Sequence, residues 1–379
     1  MKKRFKIAFH FVFLVILSGL VLISNIALVT TQGAGDDRYL IKRGSWSWNR
    51  SVEKPNTAYI NNLDLVTDRG YISYRGEGGL EILDVSEPVK PVSLGNFYDG
   101  DISEGVAVYG NYAYLYGNSQ MDILDVTDAT NIEKVGVING MGPVSSAVIN
   151  NNLLYVWHNN QTTKNELDIF NISNPTSPEW VNELNFTGCP FHVRLAVNDE
   201  FLFMMIINGN LLVTSIEDVG STFVSYPVLG LQDGFLVEDL LMVRQTSGFS
   251  IYNISELSPD LIGSYESRNV ADGDIAVTDS YVFLTDYTSM EIVDISAPTM
   301  PTLVGFYEKG GRSPDEMMVV DEFVYLAFND INSPEILILE LQSKSPWLIP
   351  VISTAVGVIG VGTGIGLFFW LRKRNLSNS

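Results

Sequence analysis

The sequence predicts an all-β fold: a seven-bladed beta-propeller of four-stranded blades closed by an N-terminal strand, with an N-terminal hydrophobic segment before it and a C-terminal transmembrane helix after it. Three observations predict it. A strand-and-turn unit returns at nearly constant spacing through most of the 379 residues. No helical periodicity of useful length interrupts it between residues 40 and 341. The last copy of the unit lacks its final strand, and a stretch near the start of the chain has the pattern to supply it.

The unit is clearest at residues 80–95, LEILDVSEPVKPVSLG. Leu80, Ile82 and Val85 read as a strand, Asp84 closes it, Ser-x-Pro-x-x-Pro makes a rigid turn, and residues 92–95 begin another strand. Copies begin at Met121 (MDILDVTDATNIEKVG), Leu167 (LDIFNISNPTSPEWVN), Phe249 (FSIYNISELSPDLIG) and Met290 (MEIVDISAPTMPTLVG). Weaker copies stand at Leu211 (LLVTSIEDVGS) and Ile336 (ILILELQ). The polar residue closing each strand is Asp84, Asp125, Asn171, Ser215, Asn253, Asp294 and Glu340, with steps of 41, 46, 44, 38, 41 and 46 residues. A period of about 43 residues lies in the range of propeller blades.

MEIVDISAPTMPTLVG and its copies resemble the LVIVD repeat, a unit of beta-propellers found on bacterial and archaeal surface and secreted proteins. The resemblance implies a fold and brings no reaction or catalytic residue with it.

In chain order, MKKRFK precedes an apolar run over residues 7–29, long enough to cross a bilayer of about 30 Å. Residues 1–30 therefore read as a signal anchor or a signal peptide. The run exceeds the usual apolar region of a cleaved signal, and TTQGAG after it is a weak cleavage site, which favours the anchor. Residues 31–38 form a linker, and residues 39–342 the propeller ectodomain. The second unit illustrates a blade, with strands starting at Val106, Tyr112, Met121 and Lys134; the sixth repeats it at Ile275, Tyr281, Met290 and Thr302. The general propeller plan and the resemblance place the first strand of each unit innermost. The seventh unit ends at ILILEL without a fourth strand. YLIKRGSWSW, from Tyr39, aligns with TLVGFY when Gly44 is set on Gly305, and would close the ring with Trp46 and Trp48 on one face. Six blades plus an irregular pair is the rival arrangement.

Residues 343–346 form a second linker. Residues 347–371 contain no charge and are followed by Arg372, Lys373 and Arg374, a transmembrane helix with a stop-transfer flank. The basic tail, residues 372–379, is expected in the cytoplasm and the bulk of the chain outside, at the cell membrane. Gly360 with Gly364 and Gly362 with Gly366 are small-residue pairs that suit self-association through this helix.

The net charge is −21, and seven basic residues lie in the two ends where no acid occurs, so the repeat region holds 16 basic and 44 acidic residues. Such a field repels nucleic acid, attracts cations or basic partners, and keeps an exposed domain soluble. One cysteine, Cys189, excludes an intramolecular disulfide framework. With three histidines, it also argues against a cysteine and histidine metal cluster.

The loops entering the innermost strands lie at the mouth of the channel, where propellers bind ligands. Several are acidic: Asp99, Asp101 and Glu104; Asp233; Asp272 and Asp274; Asp315 and Glu316. Converging carboxylates suit calcium or a basic segment, although none of these stretches carries a complete calcium-loop pattern and solvated turn acids are the better explanation. His192 follows Cys189 and Pro190 in an equivalent loop, without the partners nucleophilic catalysis needs. Asp84, Asp125 and Asp294 are expected to cap the following turn. Asn49, Asn160 and Asn185 head glycosylation sequons; Asn171 and Asn253 also do, but occupy the capping position. The expected function is a membrane-anchored binding or adhesion module for an extracellular protein or glycan. The alternative is an extracytoplasmic metal-dependent hydrolase or lyase with its site at the channel mouth.

Overall fold

A computed structural model describes residues 38–47, 59–75, 79–98, 100–118, 120–159, 164–186, 192–219, 222–268, 273–286, 289–308, 314–328 and 335–343. The regular elements among them are strands, gathered into seven antiparallel sheets of four. Both apolar terminal segments, both linkers but for their innermost residues, and the basic tail lie outside the described residues. Among the described residues no helix is long and apolar enough to cross a membrane.

Blades 1 to 6 each take four consecutive strands. Blade 2, for example, consists of Ser103–Tyr109, Tyr112–Gly117, Gln120–Asp125 and Glu133–Asn139. Blade 7 takes three, Glu316–Val320, Phe323–Phe328 and Glu335–Ser343, and completes itself with Arg38–Ser47. That strand pairs antiparallel with Glu335–Ser343, with Leu40 opposite Leu341 and Trp46 opposite Ile336. The sheet edge the sequence leaves open is thus covered, with its backbone donors and acceptors paired. Trp46 is buried, while Trp48 lies outside the described residues.

Seven hydrophobic cores lie between neighbouring blades rather than within them. Tyr71, Ile82, Val106 and Leu115 join blades 1 and 2, and Trp46, Ile60, Leu83 and Ile338 join blades 7 and 1. Both faces of each sheet are therefore buried, which explains strands such as YAYLYG and FLFMMI that are apolar on both faces. Each fully buried large aliphatic side chain contributes about 1.5–3 kcal/mol.

The turn after the third strand is built as the sequence predicts. Asp84, Asp125, Asn171, Asn253 and Asp294 each accept a hydrogen bond from the backbone amide two residues on, at 2.8–2.9 Å, and the Ser215 hydroxyl does so at 3.3 Å. The Ser86 and Thr127 partners hold the Asp84 and Asp125 carboxyls below the ordinary range. In the outer strand, a bulge precedes Gly44, Gly95, Gly136, Gly263 and Gly305. A Cβ on Gly95 or Gly263 would overlap the carbonyl oxygen of Ala129 or Pro298, which belongs to the turn of the next blade. Gly44 meets the Val89 carbonyl of blade 1 in the same way, whereas Gly305 meets Ile292 and the Arg38 carbonyl of the closing strand; what Gly44 and Gly305 share is the bulge before them.

Because neighbouring strands are antiparallel, the first and third strands of a blade run the same way. Arg38 is paired with Ser343, so the chain enters and leaves the ring side by side at the end where third strands finish. The inner strands begin at the opposite end, which carries the candidate site.

Candidate functional site

The seven inner strands pass around an open channel enclosing a cavity of about 800 Å³. In every blade one inner-strand residue occupies the same rung of the ladder with the second strand. These are Asn62, Gly105, Ser146, Arg194, Asp233 and Glu316, opposite Ser73, Tyr116, Trp157, Met205, Arg244 and Ala327. Asp274 takes the place in blade 6, exchanging hydrogen bonds with Thr285. In blades 1, 2, 3 and 5 a bulge falls immediately before this residue, a device that re-aims a side chain.

The ring so formed is lopsided. Blades 1 to 3 contribute Asn62, Gly105 and Ser146, and blades 4 to 7 contribute Arg194, Asp233, Asp274 and Glu316. The Gly105 position is used by its neighbour: a Cβ there would overlap the Tyr116 hydroxyl, so glycine gives the phenol room at the channel wall. Burial, more than the surrounding charges, pushes that phenol up to about 12.

On the charged arc, Arg194 Nε stands 3.7 Å from Asp233 Oδ2, with the arginine side chain 44 % exposed to channel water even though the ring surrounds it. Arg244 donates to the Gly273 carbonyl. Asp274 accepts from the Met317 amide of the next blade, as the Ser146 hydroxyl accepts from the Leu195 amide at 3.1 Å. These two contacts staple neighbouring inner strands. Burial first, and repulsion from Asp233 second, raises the Asp274 carboxyl to about 6. Glu316 is pushed well above the ordinary glutamate range by burial and then by Asp274, with Arg194 opposing. Asp64, one turn of the pleat further in, is raised by burial. Among the described residues no three histidine, cysteine or acidic side chains are grouped closely enough to hold a metal ion.

A family model for the LVIVD repeat matches residues 71–99, 100–139, 142–185 and 272–309. These segments fall on blades 1, 2, 3 and 6 of the ring described above. The chain is an LVIVD-repeat beta-propeller.

Two solved structures similar to this LVIVD propeller are a functionally unknown protein from Desulfotomaculum acetoxidans DSM 771 and BamB from Moraxella catarrhalis. The first is 8% identical with a TM-score of 0.56, covering 70% of this chain and 89% of that one. The second is 11% identical with a TM-score of 0.53, covering 79% of this chain and 91% of that one. At such identities they share the fold alone. No curated protein sequence matches the chain.

Of the acids predicted for the mouth, the LVIVD propeller brings Asp233, Asp274, Asp315 and Glu316 to the cavity wall. Asp101 lies apart, at a smaller cavity with Gln120 and Asp122. Glu104 leaves the channel for the seam between blades 1 and 2, where Arg75 Nε is 3.2 Å from it. Asp99 and Asp272 lie outside the described residues, as do Cys189, Asn49 and Asn160. His192 is exposed in its loop. Asn185 is exposed on an outer strand, donating to Glu183 at 2.6 Å. Sequence reasoning did not single out Asp64, Tyr116, Arg194 or Arg244. The ring residue precedes the strand-closing residue by 20 to 25 residues, a spacing too variable to mark it before the strand register is known.

Proposed function

We infer that the LVIVD propeller is a membrane-anchored binding or adhesion module displayed on the cell surface, taking an extracellular protein or glycan at the mouth of its channel. The carrying observation is the cavity, whose ring position is charged on blades 4 to 7 and uncharged on blades 1 to 3, with Asp64 as the acid that blade 1 adds to the wall. Such one-sided walls orient a ligand, whereas a purely structural plug has no use for them. The placement of Arg38 and Ser343 at the opposite end of the ring fits an anchor on either side of the propeller sequence, with the mouth turned away from the bilayer. The basic flanks of residues 1–6 and 372–374 support an outside propeller and an inside tail.

The experiment is capture of extracellular partners by the full chain in detergent, compared with Arg194→Glu, a change on a side chain already in contact with channel water. Capture should change at least tenfold in the variant, rising for a basic ligand and falling for an acidic one, in a chain that still melts cooperatively. A partner held equally by both forms removes the channel from the proposal. Protease added to intact cells should shave the propeller and spare the tail; a protected propeller overturns the surface location.

A further inference from the structure

We propose that the channel mouth seats an organic cation, the ammonium or guanidinium group of a basic protein segment, between Asp274 and Glu316. This rests on the channel being the ligand seat and names the chemistry that fills it.

The charge balance of the wall leaves room for one. Asp64, Asp233, Asp274, Asp315 and Glu316 line the cavity against Arg194 and Arg244. Arg194 faces Asp233 and also acts on Asp274 and Glu316, and Arg244, which donates to the Gly273 carbonyl, also acts on Asp274, so two cations are shared among five acids. The hydrogen-bond inventory is lopsided in the same sense. Among the described residues Glu316 has no hydrogen-bond donor, although each of Ser146, Asp233 and Asp274 accepts from a backbone amide. Beside Glu316 in the ring, the Asn62 carboxamide oxygen is buried and has no partner. Blades 7 and 1 therefore present acceptors in want of donors beside Asp274 of blade 6. An ammonium brings three donors and a guanidinium five, and neither brings an acceptor. An anion would meet Asp274 and Glu316 directly.

A bare metal ion fits less well, since no three of the described carboxylates converge on one point and the cavity of about 800 Å³ is the size of a small-ligand site. Across the channel, Val106, Ala107, Ala147 and Val148 supply an apolar wall along which the methylene stem of a lysine or arginine can lie while its head reaches the acids. The raised Asp274 and Glu316 carboxyls agree with this geometry, because a cation beside them would draw both back toward ionisation.

The test is calorimetry on the full chain in neutral detergent at pH 7.5 with a capped tri-lysine peptide, a capped tri-norleucine peptide and calcium chloride. One tri-lysine should bind per chain, and tri-norleucine and calcium should give no heat. Glu316→Gln should weaken tri-lysine at least tenfold with a melting temperature no lower than that of the unsubstituted chain. Should that variant fold poorly, Asn62→Lys places an ammonium in the seat from within and should block the peptide. Binding unchanged in both variants, tri-norleucine binding as well as tri-lysine, or calcium displacing the peptide from the same residues overturns the proposal. A natural partner whose capture is lost in Arg194→Glu but kept in Glu316→Gln removes the cation seat alone and leaves the channel reading standing.

Discussion

Blades 1 to 3 and blades 4 to 7 share one framework and differ at one ring position. The strand-closing residue that caps the turn recurs in both arcs, as do the bulged outer strands and the cores between blades. At the ring position one arc holds Asn62, Gly105 and Ser146, and the other Arg194, Asp233, Asp274 and Glu316. Blade 6 separates the two properties. It matches the repeat model as blades 1 to 3 do, yet its ring residue is Asp274. Faithfulness to the repeat therefore says nothing about the channel: packing between blades constrains the outer strands and turns, while the innermost rung faces water and is free to take up binding chemistry.

Opening the ring would break this comparison most severely, because the two arcs are held in one circle by a single strand. Deleting residues 38–47 exposes the whole edge of Glu335–Ser343 and uncovers the core that Trp46 shares with Ile60 and Ile338. Aggregation or a melting temperature lower by roughly 10 °C or more is expected, read by light scattering and calorimetry; a silent deletion would show the closing strand to be dispensable.

A smaller effect distinguishes individual blades. Gly263 has no room for a Cβ, whereas blade 3 carries Asn182 at the equivalent rung, opposite Ile169 as Gly263 is opposite Ile251. Gly263→Asn should lower stability by about 1–3 kcal/mol while Asn182→Gly changes it by under ~1 kcal/mol. Urea midpoints that move equally would mean the close approach is not particular to blade 5.

The smallest effect sharpens the contrast between the arcs. The folded Asp274 carboxyl holds its proton to about pH 6, so between about pH 4 and 6 the native state binds more protons than the unfolded chain and stability falls as pH rises. Asp274→Asn keeps an oxygen for the Met317 amide and removes that penalty. It should add about 1–3 kcal/mol at pH 7.5 and nothing at pH 4, and Ser146→Ala in the neutral arc should show no such pH dependence. Denaturant titrations at the two pH values check it; equal effects of Asp274→Asn at both would refute the assignment.

The framework was legible in the sequence because the capping residue marks each third strand and the turn chemistry behind it is local. The same locality linked Gly44 to Gly305 and so found the closing strand. What escaped were groups whose partners stand on another strand, of the same blade or of the one before. Glu81, Asp122, Asp168 and Glu291 each stand three residues before the strand-closing residue, where alternation suggests a solvent face, yet all are buried. There Glu81 accepts from the Tyr74 hydroxyl at 3.1 Å and Asp122 meets Lys134 at 2.7 Å. Asp168 lies 3.0 Å from His158, and Glu291 accepts from Tyr265 of the preceding blade at 3.1 Å. The site was legible in part for a related reason. Acids in loops are conspicuous, so Asp274 and Glu316 were found, but Asp101 and Glu104 belong to the same loop type and turn elsewhere. Arg194 lies inside a strand and is recognised only once the register places it on the rung of Asp233.

The pairing of Arg38–Ser47 with Glu335–Ser343 also sets an order in time. The strand made first by the ribosome is the one used last, since its partner is the final strand of the ring to be synthesised. Blades 1 to 6 can assemble behind one another as they emerge, each on local hairpins, while the leading strand waits with Leu40 and Trp46 uncovered. The slow step of folding is then the joining of the two ends, and a chaperone or a membrane that shields residues 38–47 during that interval would act on yield without altering the stability of the finished ring.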